Sequence, residues 1–194
     1  MKKLLCVLLT LFVIQGYSQR RVPVDELITK GWYEDGQFKK YKKWFEGALF
    51  NGVGFDVYED GQLQSEFNYK DGELDGLRKN WYENGQLQSE VNYKDGKLDG
   101  LAKGWYENGQ LIVEGHWKDG ELDWSKEWFE NGQLQHLINY KDGKGDGLCI
   151  EWFENGRVKM MSNNKDGKID GLYKEWYEDG QLKLERNYKD GVKQ

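Results

Sequence analysis

Cysteine, proline and histidine are almost missing from this chain, and each shortage closes off a class of protein. Of the two cysteines, Cys6 lies in an apolar leader, which leaves Cys149 with no partner for an intramolecular disulfide. The single proline, Pro23, leaves no Pro-rich linker, so one domain is expected. Two histidines, His116 and His136, fall in unrelated places and make a weak metal set. Long apolar runs are missing too. The only one, Leu4 to Ile14, is too short to cross a bilayer as a helix. There is no basic excess either: 28 Lys and Arg stand against 34 Asp and Glu, a net charge of −6. That balance argues against nucleic acid or an anionic membrane as the main partner.

What the chain has is glycine, 25 residues of it, and aromatic side chains, at 15% of the sequence. Both recur with a period of about two dozen residues. The block Gly76 to Asp99, GLRKNWYENGQLQSEVNYKDGKLD, is the clearest copy. Its turn glycines Gly85 and Gly96 have counterparts from Gly36 and Gly47 to Gly180 and Gly191. A fixed period in this range signals units that cannot bury an apolar face alone and lean on their neighbours.

Within a block, Leu77–Tyr82 and Leu87–Tyr93 are short aromatic and aliphatic runs bounded by Asn-Gly and Asp-Gly, which predicts strand, turn, strand. A three-residue loop, Glu83-Asn84-Gly85, with Gly85 left-handed, pairs Trp81 with Leu87. That register gathers Leu77, Trp81, Leu87, Val91 and Tyr93 on one face. Arg78, Asn80, Tyr82, Gln88 and Glu90 fall on the other, with Arg78 opposite Glu90. The register that separates apolar from polar should win, because a one-residue slip inverts every side chain. Lys94-Asp95-Gly96 is expected to turn in the same way and feed the next hairpin. The fold class is therefore all-β, a repetitive single-layer antiparallel meander of about seven hairpins. Roughly a dozen strands, about 4.8 Å apart, would make it on the order of 60 Å long.

Three segments follow. Residues 1–18, with Met1-Lys2-Lys3, the apolar run and Gly16-Tyr17-Ser18, read as a signal peptide, so the chain is expected to be exported to the periplasm, cell surface or medium. Without Lys2 and Lys3 the net charge falls to about −8. Residues 19–52 are a degenerate copy expected to cap the open end of the stack. Their Lys39, Lys40, Lys42 and Lys43 would otherwise form an anion patch. Residues 53–194 hold six copies, one of them damaged where Asp123-Trp124-Ser125-Lys126 replaces Asp99-Gly100-Leu101-Ala102-Lys103, and a kink or bulge is expected there.

A catalytic site should interrupt the repeat with several different residues converging once, and none does. Cys149, beside Glu151, reads as a spare surface thiol. No enzyme activity, cofactor or metal is expected. A row of aspartates, Asp71/Asp75 to Asp166/Asp170, offers oxygen ligands for calcium, but Asp before Gly is also ordinary turn chemistry. Trp81, Trp105, Trp128, Trp152 and Trp176 form one column, most simply a core shared by neighbouring hairpins. Tyr58, Tyr82, Tyr106, Phe129, Phe153 and Tyr177 form another on the polar face, and these six are the candidate ligand-binding residues. Rings beside Asn80, Gln86 and Gln88 suit a sugar or an extended peptide, although aromatic columns also stabilise sheets with no ligand.

WYENGQLQSEVNYKDGKLDG and its copies, over residues 31–194, resemble the MORN repeat variants of the bacterial YwqK-type proteins, often labelled antitoxin components. The resemblance implies a meandering sheet of hairpins and a non-catalytic role in contacting protein or lipid head groups. It brings no catalytic residues. The export signal departs from a cytoplasmic antitoxin. The function expected is an exported scaffold that binds another protein through a sheet face. The alternatives are a carbohydrate or cell-wall module using the Tyr/Phe column, or an antitoxin or immunity factor. No nucleic acid partner and no integral membrane segment are expected.

Overall fold

The computed structural model describes residues 19–34 and 37–194, without the side chains of residues 29–41. Residues 1–18, read above as a signal peptide, and Gly36 lie outside the described residues. So do the side chains of Lys39 and Lys40.

The chain is strand almost throughout. β1 (Arg21–Pro23) leads through a short 3-10 turn (Val24–Glu26) into β2 (Ile28–Glu34), β3 (Gln37–Phe45) and β4 (Ala48–Leu49). The repeats then supply β5 (Gly52–Val57), β6 (Leu63–Lys70), β7 (Glu73–Trp81), β8 (Leu87–Lys94), β9 (Lys97–Trp105) and β10 (Leu111–Lys118). They continue as β11 (Glu121–Trp128), β12 (Leu134–Lys141), β13 (Lys144–Trp152), β14 (Val158–Lys165), β15 (Lys168–Trp176), β16 (Leu182–Lys189) and β17 (Val192–Lys193). Strands β5 to β17 lie in sequence order in one sheet of 14 strands, β1 forming its first edge. The expected all-β meander is what the chain forms.

The turns explain the glycines. At the first, Trp81 pairs with Leu87. The Tyr82 amide donates to the Gln86 carbonyl, and the Gly85 amide to the Tyr82 carbonyl, both at 2.9 Å. Gly85 sits at φ 82°. This is the expected three-residue loop, and the Asn84 side chain caps it by accepting from the Gln86 amide at 2.9 Å. The second turn differs from the first. Lys94 pairs with Lys97 across two residues, Asp95 and Gly96, at φ 49° and 78°. Two left-handed residues in a row match the right-handed strand twist, and Asp tolerates that region better than most side chains.

The assignment of faces needs correction. Pairing slips by one residue beside Trp81, so Asn80 faces Ser89, Lys79 faces Glu90 and Arg78 faces Val91. Val91 and Tyr93 therefore lie opposite to Trp81 and Leu87, and Arg78 does not face Glu90. The physical reason is that segregation by face requires one face to be buried. A single layer has two half-exposed faces, so apolar residues are shared between them. We call them the Trp face and the Tyr face.

The N-terminal copy does not continue the sheet. β2, β3 and β4 form a separate three-stranded sheet, because β1 takes the edge of β5 in parallel pairing. This end holds the buried apolar side chains found among the described residues: Val22, Leu27, Phe50 and Val53. The cap is tied to the repeats by backbone bonds of 2.8 Å, Lys43 amide to Gly72 carbonyl and Gly72 amide to Phe50 carbonyl. Asn51 accepts from the Asp71 amide at 2.8 Å. Lys42 is buried and paired with Glu73 at 2.9 Å, so it belongs to the joint and to no exposed anion patch.

The damaged copy keeps its place in the sheet. His116 faces Trp124 and Trp117 faces Leu122, leaving only Asp123 as a bulge. In the intact copy three residues, Asp99 to Leu101, lie opposite Asn92. Losing one residue and the glycine thus shrinks the bulge without breaking the ladder.

Candidate functional site

The six predicted rings stand at one rung per hairpin, where each strand enters its turn. Five are half-buried and Tyr177 is 53% exposed. They do not form one uniform platform. The Tyr58 hydroxyl donates to the Trp81 carbonyl at 2.6 Å, and the Tyr82 hydroxyl to the Trp105 carbonyl at 2.7 Å. These rungs staple each repeat to the next. The Asn84, Asn131 and Asn155 side chains do likewise, donating to the carbonyls of Glu107, Glu154 and Glu178 at 2.9–3.1 Å.

Toward the C-terminus the rings border a trough on the Tyr face. Phe153 and Tyr177 flank Glu151, Met160, Tyr173 and Glu175 around about 360 Å³. Lys159 pairs with Glu151 at 2.6 Å, and Lys183 with Glu175 at 3.2 Å. Tyr173 donates to Glu175. Burial first, and then that hydrogen bond, pushes the Tyr173 phenol up to about 12. Bonds from Tyr173 and Lys183 hold the Glu175 carboxyl below its usual range. His136 lies between Glu127 at 3.1 Å and Glu151 at 3.7 Å. Glu151, Lys159, Glu175, Lys183 and His136 each have a charged partner on an adjacent strand, so the trough offers mostly matched polar groups to a ligand.

The aspartate row is spoken for by the fold. Asp75, Asp99, Asp146 and Asp170 accept the amides of Asp95, Asp119, Asp166 and Asp190, one repeat on, at 3.2–3.3 Å. Among the described residues no group of three His, Cys, Asp or Glu is placed to hold a metal ion.

Cys149, read from the sequence as a surface thiol, is half-buried on the Tyr face between Ile138 and Ser162. Burial pushes it above its ordinary value, the Ser162 hydroxyl opposes this, and Glu151 adds to it. Because the thiolate is the nucleophile, native protein at pH 8 should alkylate several-fold more slowly than after unfolding in urea. Equal rates, followed by mass spectrometry with iodoacetamide, would contradict this placement.

The Trp face carries a feature that sequence reading missed. Its outer edge is the expected column, Trp81, Trp105, Trp128, Trp152 and Trp176, each paired with Leu87, Leu111, Leu134, Val158 or Leu182. An inner line runs through Leu77, Leu101, Trp124, Leu148 and Leu172. Between them lies a row of alternating charge, in which each member pairs with the next: Glu66, Lys79, Glu90, Lys103, Glu114, Lys126. Ion pairs of 3.2, 3.1 and 3.0 Å form at Lys79–Glu90, Lys103–Glu114 and Lys174–Glu185. At three consecutive positions the row turns apolar: Leu137, Ile150 and Met161. It then resumes at Lys174 and Glu185. The signal was present in the sequence as the residue two before each Trp and three after each Leu or Val. Placing Glu90 on the wrong face hid it.

The family description "MORN repeat variant" matches residues 50–71, 74–95, 98–119, 125–142 and 169–190. No curated protein sequence matches the chain. Among solved structures, a chain from "Crystal structure of GtfA/B complex bound to UDP and GlcNAc" aligns over 58% of this chain at 15% identity and a TM-score of 0.26. This chain spans 23% of that one, and a superposition so weak supports no inference. Among the described residues no helix is long and apolar enough to cross a membrane.

Proposed function

We propose that this chain, which belongs to the MORN repeat variant family, is a non-catalytic exported scaffold that binds another protein through a face of its sheet. The observation that carries the reading is the single layer itself. From β6 to β17 no large apolar side chain is buried among the described residues, so Trp, Leu and Tyr side chains remain half-open on both faces. Open apolar surface on an ordered framework usually marks an interaction site. Exposed, largely paired charges fit binding better than chemistry. Export rests on the leader, residues 1–18. The test is affinity capture from envelope extract with the purified protein, followed by reconstitution. One partner at fixed stoichiometry is expected, and its identity would separate a general scaffold from an immunity factor. No protein retained, in the face of specific glycan retention, would overturn the reading.

A glycan reading is favoured by the trough between Phe153 and Tyr177. Rings on consecutive hairpins stand two strand spacings apart, roughly 9.6 Å, close to the length of a disaccharide in an extended chain. If it holds, Phe153→Ala with Tyr177→Ala abolishes retention on a glycan array without unfolding the sheet. Retention by the double variant would remove this reading.

A further inference from the structure

We infer that the apolar break in the charge row of the Trp face, Leu137, Ile150 and Met161, is the docking site for a partner protein segment with an apolar centre and an acidic residue at one end. The inference rests on the scaffold reading and deepens it.

From Glu66 to Glu185 the charge row otherwise separates the outer Trp column from the inner Leu line. In a repeat protein each position sees the same environment from copy to copy, so a local break needs a local cause. Core packing is no such cause, because a single layer has no second sheet over this face. Leu137 pairs with Ile150, and Ile150 with Met161, on three consecutive strands. Where they stand, the two apolar lines fuse across the width of the sheet, from Trp152 to Leu148. A contiguous apolar patch rimmed by charge has the anatomy of an interface core.

The rim identifies the occupant. Lys126 precedes the break, and its expected carboxylate partner on β12 is replaced by Leu137. Its other neighbour, Glu114, is bonded to Lys103 at 3.1 Å. Among the described residues Lys126 makes no ion pair, and its ammonium lies 5.0 Å from the Trp124 ring centroid. Lys174, beyond Met161, is already paired with Glu185 at 3.0 Å. Among the described residues the patch thus presents at one end a cation with no carboxylate beside it, and an acidic side chain arriving with apolar neighbours would complete the interrupted row. Complementary charge at the rim sets orientation and register, while the apolar centre supplies affinity.

The test restores the row. Leu137→Glu, Ile150→Lys and Met161→Glu together continue the alternation from Lys126 to Lys174, using pairs the fold already accepts at Lys79–Glu90. The triple variant is therefore expected to fold, and far-UV circular dichroism with a melting curve checks it. A random peptide library displayed on phage is panned on the wild-type protein. Enriched peptides should carry an apolar run beside Asp or Glu, and should bind the triple variant about 30-fold more weakly. Lys126→Glu should shift enrichment to basic flanks. Peptides that bind the folded triple variant equally well, or no enrichment, would overturn the docking site and leave the scaffold reading to its own capture test. Two other results would also overturn it. One is binding of phosphatidylcholine/phosphatidylglycerol vesicles that the triple variant loses. The other is a wild-type dimer that the triple variant dissolves, which would assign the patch to lipid or to a second copy.

Discussion

Replacing Gly72 with alanine should release the N-terminal cap from the repeats, at a cost of about 3 kcal/mol or more. The same change at Gly143 should cost only about 1–2 kcal/mol. The two glycines hold the same turn position at nearly the same angle, φ 76° and 71°. Their backbone strain on gaining a Cβ is therefore alike. Their surroundings are not. A Cβ at Gly72 would lie 2.6 Å from the Lys43 carbonyl oxygen and 3.1 Å from Leu49, whereas one at Gly143 meets nothing within 4 Å. The clash involves backbone, which cannot swing aside. It falls on the residue whose amide and carbonyl join the cap to the first repeat. Urea unfolding of the two variants measures the difference, and equal losses would show that the joint at Gly72 is not as described.

Phe50→Ala should be comparably severe, at about 3–5 kcal/mol. Phe50 is 3% exposed and packs with Val22 and Leu27, its ring 5.7 Å from Tyr69 and 6.1 Å from Phe45. Among the described residues this cluster holds most of the buried apolar side chains, so a truncation here opens a true cavity. Because each repeat touches only its neighbours, the damage should stay local. Hydrogen exchange should accelerate around β1, β5 and β6 and remain slow in β13 to β15. Uniform acceleration would mean that the sheet unfolds as one cooperative unit. Phe50→Leu, keeping most of the volume, should lose far less.

The period, the strands and the first turn were legible in the sequence because they depend on local chemistry: Asn-Gly before Gln, and Trp and Leu at the strand ends. The faces were not. The sequence was read as though one side of the sheet were buried, which made Trp81, Val91 and Tyr93 seem natural neighbours. A one-residue slip beside Trp81 costs little when both sides are half-exposed, and it moves Val91 and Tyr93 across. The residues of the Tyr/Phe column differ in what they do. Tyr58 and Tyr82 spend their hydroxyls on the next repeat, while Phe153 and Tyr177 border an open trough. The cap's separate sheet was hidden for another reason. Nothing in residues 20–23 announces a parallel strand, because that pairing is made with β5, some thirty residues away in the chain.

Binding through either face requires the sheet to be a single open layer with both faces available. Small-angle X-ray scattering of the purified protein tests this directly. Fourteen strands at about 4.8 Å spacing give a long axis on the order of 60 Å and a radius of gyration of about 20 Å. A compact globule of the same chain length would give about 16 Å. A value near 20 Å with an elongated distance distribution is the result expected. One near 16 Å would mean that the faces are folded against each other or covered, and the docking surfaces described here would not exist in solution.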